Sequence, residues 1–153
     1  ALEWGEASGD PRPLSDIRLT RTALQLHLKN WEASVNELDA AQELSEELDI
    51  PRLAGQVERM TGELFLTRHE DSGNGQPKHL KRAQRHFRQA ITHFVEAGCN
   101  LEAAQTHDRL GDALERMGKT TESARERRVA EELRGAYLPA SENGEPTETG
   151  ASE

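Results

Sequence analysis

The sequence predicts an all-α protein: a right-handed solenoid of antiparallel helix hairpins, about three repeats long and preceded by a truncated helix. Three observations carry this. First, two apolar stripes of helical period stand either side of the turn Ala97-Gly98-Cys99-Asn100. One comprises Ala83, Phe87, Ala90, Ile91 and Phe94; the other comprises Ala103, Leu110, Leu114 and Met117. Second, the chain repeats itself. Shifted by about forty residues, its opening block meets the next at Pro11/Pro51, Arg12/Arg52, Leu24/Leu64 and Leu26/Leu66. A shift of about forty-nine then matches Ala41/Ala90, Ala54/Ala103, Gln56/Gln105 and Gly62/Gly111, and the last shift returns to forty with Ala90 over Ala130. Third, aromatic residues are only 4% of the chain while 34% is apolar, which suits helix pairs that touch only their neighbours through Ala and Leu.

In chain order, Ala1 aligns with Ala41 in the middle of a helix, so Ala1 to Trp4 reads as the tail of a preceding second helix. On that reading the chain is the C-terminal piece of a longer protein. Gly5 to Pro13 is then a turn, since proline obstructs a helix running through it. Ser15 caps a first complete helix over Asp16 to Leu28, with Ile17, Leu24 and Leu28 inward. Its partner is Trp31 to Leu48, with Trp31, Val35, Leu38, Ala41 and Leu48 inward and Glu32, Glu37, Asp39, Glu43, Glu46 and Glu47 on a solvated acidic face. Pro51 suits the first turn of the next helix, which runs to about Thr67 on the stripe Leu53, Val57, Met60, Leu64.

The change of offset places a nine-residue insertion between Leu66 and Lys81, and its loop composition predicts an insertion loop at about 68–79, with His69 to Gln76 mobile. After the Ala83 helix, Gly98 closes one helix and Asn100 caps the next. The final helix, about Thr121 to Tyr137, offers only Ala124, Ala130, Leu133 and Tyr137 for burial, as a polar capping repeat would. The helical array therefore spans 1–137. Residues 138–153 carry four glutamates, no basic residue and little to bury, and are expected to be a disordered acidic tail.

Charge and motifs exclude several function classes. A net charge of −9 argues against nonspecific nucleic-acid or anionic-membrane binding by the whole surface. The single cysteine forms no internal disulfide, and no transmembrane run or signal peptide is present, in keeping with a cytoplasmic setting. His79, His86 and His93 recur every seven residues, a rise of about 10.5 Å, too far apart to share one metal ion. His107 reads as an interhelix residue, Cys99 as a buried or inert thiol, and the glycines at 73–75 as too short a segment for a phosphate loop. No catalytic constellation, metal or cofactor is expected. The run Lys78, Lys81, Arg82, Arg85 and Arg88 goes against the acidic average and is expected to pair inside the molecule with the acidic second helix of the preceding repeat.

At Leu110-Gly111, Leu114, Gly118, Ser123 and Ala130 the chain resembles the tetratricopeptide repeat. Ala83, Phe87 and Ala90 match that family's small, aromatic, small series, and Gly62 with Phe65 repeats part of its first helix. The likeness covers about Asp16 to Tyr137, in a variant with a repeat of about forty residues. In the first repeat Arg21, Thr22 and Gln25 depart from the pattern, and the family's early apolar position holds Arg18, Glu58 and His107. The resemblance implies a protein-binding scaffold, not an enzyme. The alternatives are a C-terminal regulatory arm of a signalling ATPase, cyclase or transcription regulator, and a nucleic-acid-binding helical repeat. It also implies ligand-facing positions at Gln56, Arg59, Glu63, Leu66 and Thr67, then Gln105, Asp108, Asp112, Glu115 and Arg116. Asp108, Asp112 and Glu115 share one helix face, so a partner carrying basic or amide side chains is expected there. Self-association through the truncated end is the other contact the repeat register implies.

Overall fold

The computed structural model describes residues 11–72 and 77–137, the first three and last two of them by backbone alone. They form six α-helices, with no strand among the described residues. These are α1 (Pro11–His27), α2 (Trp31–Leu48), α3 (Pro51–Asp71), α4 (Pro77–Glu96), α5 (Asn100–Arg116) and α6 (Thr120–Tyr137). Each packs on its successor, and α1 also touches α3. Gly55 lies against Phe94 and Gly62 against Phe87, so partner numbers on α4 fall as numbers on α3 rise. His107 with Glu126 and Asp108 with Arg134 show the same opposed order between α5 and α6.

Three turns close in one way. Lys29, Gly98 and Gly118 adopt positive φ (59°, 74° and 81°), and the next N–H reaches back to the carbonyl five residues earlier: Asn30 to Gln25, Cys99 to Phe94, Lys119 to Leu114. This satisfies carbonyls that a helix end leaves open, and glycine adopts it without a Cβ clash. The expectation at Gly98 is met. Asn100 is not the cap, however; Cys99 occupies that place and makes no side-chain capping bond.

The core runs along the helix seams. Leu19, Leu26, Leu38, Ala41, Leu53, Val57 and Leu64 join α1, α2 and α3, while Leu66, Leu80, Ala83, Phe87, Leu110, Ala113 and Leu114 join α3, α4 and α5. Phe87 and Phe94 are fully enclosed, each contributing roughly 1.5–3 kcal/mol by burial. Repeat register predicts the burial. Ser34, Ala83 and Ser123 are equivalent small residues and are buried, as are Ala41, Ala90 and Ala130, and Thr22, Gly62 and Gly111.

Several expectations are corrected. Helix α1 begins at Pro11 and passes through Pro13, because a proline in the first turn lacks only an N–H that has no intrahelical partner. Ser15 is a buried helical residue, not a cap, and the buried face holds Ser15, Leu19, Thr22 and Leu26 in place of Ile17, Leu24 and Leu28. Leu24 and Leu28 are 53% and 61% exposed. On α2, Val35 is exposed, and Glu37 leaves the solvated acidic face to pair with Arg18 and Arg21.

The expected insertion loop is mostly helix. His27 aligns with Thr67, yet α3 runs on to Asp71; Trp31 aligns with Leu80, yet α4 starts at Pro77. Seven of the nine inserted residues lengthen the two helices, so His69 to Asp71 are helical and not loop. In α6 Ala124 is exposed and Ser123 takes the buried place. The expected helix stub at Ala1 to Trp4, the turn at Gly5 to Asp10, residues 73–76 and the tail at 138–153 lie outside the described residues, as does the side chain of Tyr137.

Candidate functional site

Helices α3 and α5 lie side by side and are joined by a ladder of long polar side chains. Arg52 donates to Glu102 at 2.7 Å, Arg59 to Gln105 at 3.2 Å, and Arg116 meets Glu70 at 2.5 Å. At the centre Arg109 donates to both carboxylate oxygens of Glu63, at 2.6 and 2.7 Å, and to Asp112 at 2.6 Å. Hydrogen bonding to Glu63, helped by the charges of Glu63 and Asp112 and opposed by burial, pushes the Arg109 guanidinium further up from its ordinary value. A planar fork on a carboxylate fixes direction as well as distance, so this pair sets the register of α3 against α5.

Two depressions flank α3 on this side. One of about 510 Å³ lies against Ala23, Leu26 and Thr67, the other of about 380 Å³ against Arg59, Gln105, Asp108 and Arg134, and the two share Met60 and Glu63. The expected positions Arg59, Glu63, Gln105 and Asp108 are thus gathered into one groove. Gln56 is half-buried beside them, and Leu66 is fully buried in the core, so it faces no ligand.

The expected acidic face is neutralised. Asp108 pairs with Arg134, Asp112 with Arg109 and Arg127 (2.8 Å), Glu115 with Arg127 (2.9 Å), and Arg116 with Glu70. Hydrogen bonding to Asp112 raises Arg127 in turn. Arg109, Arg127 and Arg134 were not singled out in the sequence, although Arg127 and Arg134 stand in register with Phe87 and Phe94. Arginine at an aromatic position is the signal that marks them.

The same register explains the charged residues where the resembled family is apolar. Arg18 meets Glu37 at 3.4 Å, Glu58 meets His86 at 2.7 Å, and His107 meets Glu126 at 2.7 Å. In each helix pair one first-helix position faces one second-helix position, and the third pair carries the second with its partners exchanged. His107 is therefore the interhelix residue its sequence context implied.

The basic run does not pair with α2. Arg88 approaches Glu126 of α6 at 3.7 Å and Arg82 lies 5.5 Å over the Phe65 ring, while Lys78, Lys81 and Arg85 are exposed without an ion pair among the described residues. The reason is that α4 packs on α3 and α5 and not on α2, while Glu70 and Asp71 at the end of α3 are held by Arg116 and Lys29. Phe65 stacks between His79 and His86 at 6.0 and 5.6 Å. The buried His79 leaves Nδ1 without a partner, and burial, then Arg68, Lys78, Arg82 and His69, lowers its pKa from 6.5. Burial, then Glu102, pushes the Cys99 thiol up, which disfavours the thiolate a nucleophile needs.

Among the described residues no three His, Cys, Asp or Glu side chains are arranged to hold a metal ion, and no helix is long and apolar enough to cross a membrane. No protein-family model, no curated protein and no solved structure matches the chain.

Proposed function

We propose that the chain is a partner-binding module, a right-handed solenoid of antiparallel hairpins like the tetratricopeptide repeat, whose first helices α1, α3 and α5 form the binding groove. The observation that carries this reading is the pair of depressions sharing Met60 and Glu63, which make one continuous groove across α1, α3 and α5. Its character is mixed. Ala23, Leu26 and Met60 offer apolar area, while the ladder and the Asp108–Arg134 pair hold fixed charges of both signs. Polar side chains already paired with one another in the free chain spare part of the ordering cost on binding.

The partner is an extended or helical protein segment with an apolar anchor between α1 and α3 and polar side chains towards α5. The test is Ala23→Arg with Thr67→Arg, which fills the larger depression and removes no member of any ion pair. Capture of a partner from a lysate of the source cells should be lost while the circular-dichroism helix signal stays. Undiminished capture would remove this groove from the function.

A further inference from the structure

The opposite face of α3 carries Ala54, Glu58, Thr61 and Phe65, and above it α2 and α4 stand as two banks. Two further depressions, of about 360 and 220 Å³, share Gln42 and Glu58 and form one furrow along α2 from Val35 to Asp49. At a rise of 1.5 Å per residue that is about 21 Å. One end is floored by Leu38, Val57, Leu64 and Phe65, with Val35, 37% exposed, on its rim. Leu38, Val57 and Leu64 in that floor are only 5%, 2% and 3% exposed, so the apolar area open to water is that of Val35 and the half-buried Phe65, which a bound apolar side chain would cover.

The banks carry unequal charge. Asp39, Glu46 and Asp49 line the α2 side without an ion pair among the described residues, and Glu46 accepts only a 2.8 Å hydrogen bond from Gln42. On the α4 side His86 is held by Glu58, His93 lies 4.0 Å from Glu96, and Arg82 covers Phe65. Across the ladder every acid has an arginine; in the furrow the three acids of the α2 bank, Asp39, Glu46 and Asp49, have no ion-pair partner among the described residues. A phosphate backbone or an anionic lipid surface would be repelled by this bank.

We propose that this furrow binds an amphipathic helix of a partner protein, apolar on the face that meets Val35 and Phe65, with lysine or arginine on the edge that meets Asp39, Glu46 and Asp49. A 21 Å furrow accommodates about 14 helical residues. This surface is separate from the first-helix groove and stands or falls independently of it.

The test uses the full chain and a fluorescein-labelled peptide of about 14 residues, built of leucine and lysine at amphipathic spacing, beside a counterpart with glutamate for lysine. Fluorescence anisotropy at moderate salt should show the lysine peptide bound and the glutamate peptide not. Asp39→Lys with Glu46→Lys should weaken binding about tenfold or more, and Val35→Gln, which leaves the charges alone, by about threefold or more. Glu32→Lys with Glu43→Lys makes the same charge change on the same helix outside the furrow and should change binding by less than about twofold. Equal loss in the two charge variants would reduce the effect to net charge and overturn the site. So would the absence of lysine-peptide binding. If sedimentation shows the unmodified chain dimeric and Asp39→Lys with Glu46→Lys monomeric, the furrow belongs to a second copy of this chain and the separate partner is overturned.

Discussion

Residues that break the pattern of the resembled family turn out to do the joining. Arg18, Glu58 and His107 occupy a position that asks for an apolar side chain, and each is matched by Glu37, His86 or Glu126 on the next helix. The departure was visible in the sequence, but its partner was not, because pairing across a hairpin depends on the rotation of both helices. The acidic face at Asp108, Asp112 and Glu115 was equally legible, and its neutralisation was not, since the arginines arrive from α6 and from a neighbouring turn of α5. His79 gives the residue-scale prediction. Its folded pKa lies below 6.5, so between that lowered value and 6.5 the unfolded chain binds a proton that the folded chain refuses. Stability contributed by the neutral ring is present above 6.5 and is lost as pH falls through this window. His79→Leu should therefore flatten the fall in melting temperature between about pH 7 and pH 5. A variant with the same pH slope as the unmodified chain would show that His79 is protonated at no cost.

At the scale of single helices, the apolar period and the glycines were good guides and the ends were poor ones. The bounds of α2 follow from Trp31 and Leu48 as expected. The extension of α3 and α4 into a segment of Gly, Asn and Ser was hidden, because those residues sit only in the connector while charged residues on either side continue the helices. Glycines inside α3 and α5 look alike in sequence but stand against different neighbours. A Cβ built on Gly62 would come within 2.6 Å of the enclosed Phe87 ring, whereas on Gly111 it would come no nearer than 3.2 Å to the Arg127 side chain and 3.4 Å to the Ser123 carbonyl, which small shifts can relieve. Gly62→Ala should destabilise by about 1–3 kcal/mol through overpacking, despite a gain in helix propensity. Gly111→Ala should be neutral or stabilising by up to about 1 kcal/mol. Urea denaturation of the two variants decides it, and equal effects would refute the packing assigned to Phe87.

At the scale of the whole molecule, one register orders burial, polar pairing and the remaining exposed surface. Leu24 aligns with Leu64 and Ala113, which are 3% and 0% exposed, yet it is itself half open, because no helix among the described residues lies on that side of α1. The six-helix content was legible from period and repeat; the two-sided character of α3, with an ion-paired ladder on one face and an acidic furrow on the other, was not. Faces of that kind come from pairing between helices far apart in the chain.

The account rests on the equivalence of the helix pairs, and exchanging one polar pair tests it most directly. Glu58→His and His86→Glu, made singly, each place like groups across the α3–α4 seam and should lower stability by about 1–2 kcal/mol. Made together, they install the arrangement that His107 and Glu126 already use. Thermal and urea unfolding of the four proteins should show the double exchange restored to within about 0.5 kcal/mol of the starting chain, a coupling well above the additive expectation. Losses that simply add would mean that Glu58 and His86 do not form the contact His107 and Glu126 form, and the common register of the helix pairs would be contradicted.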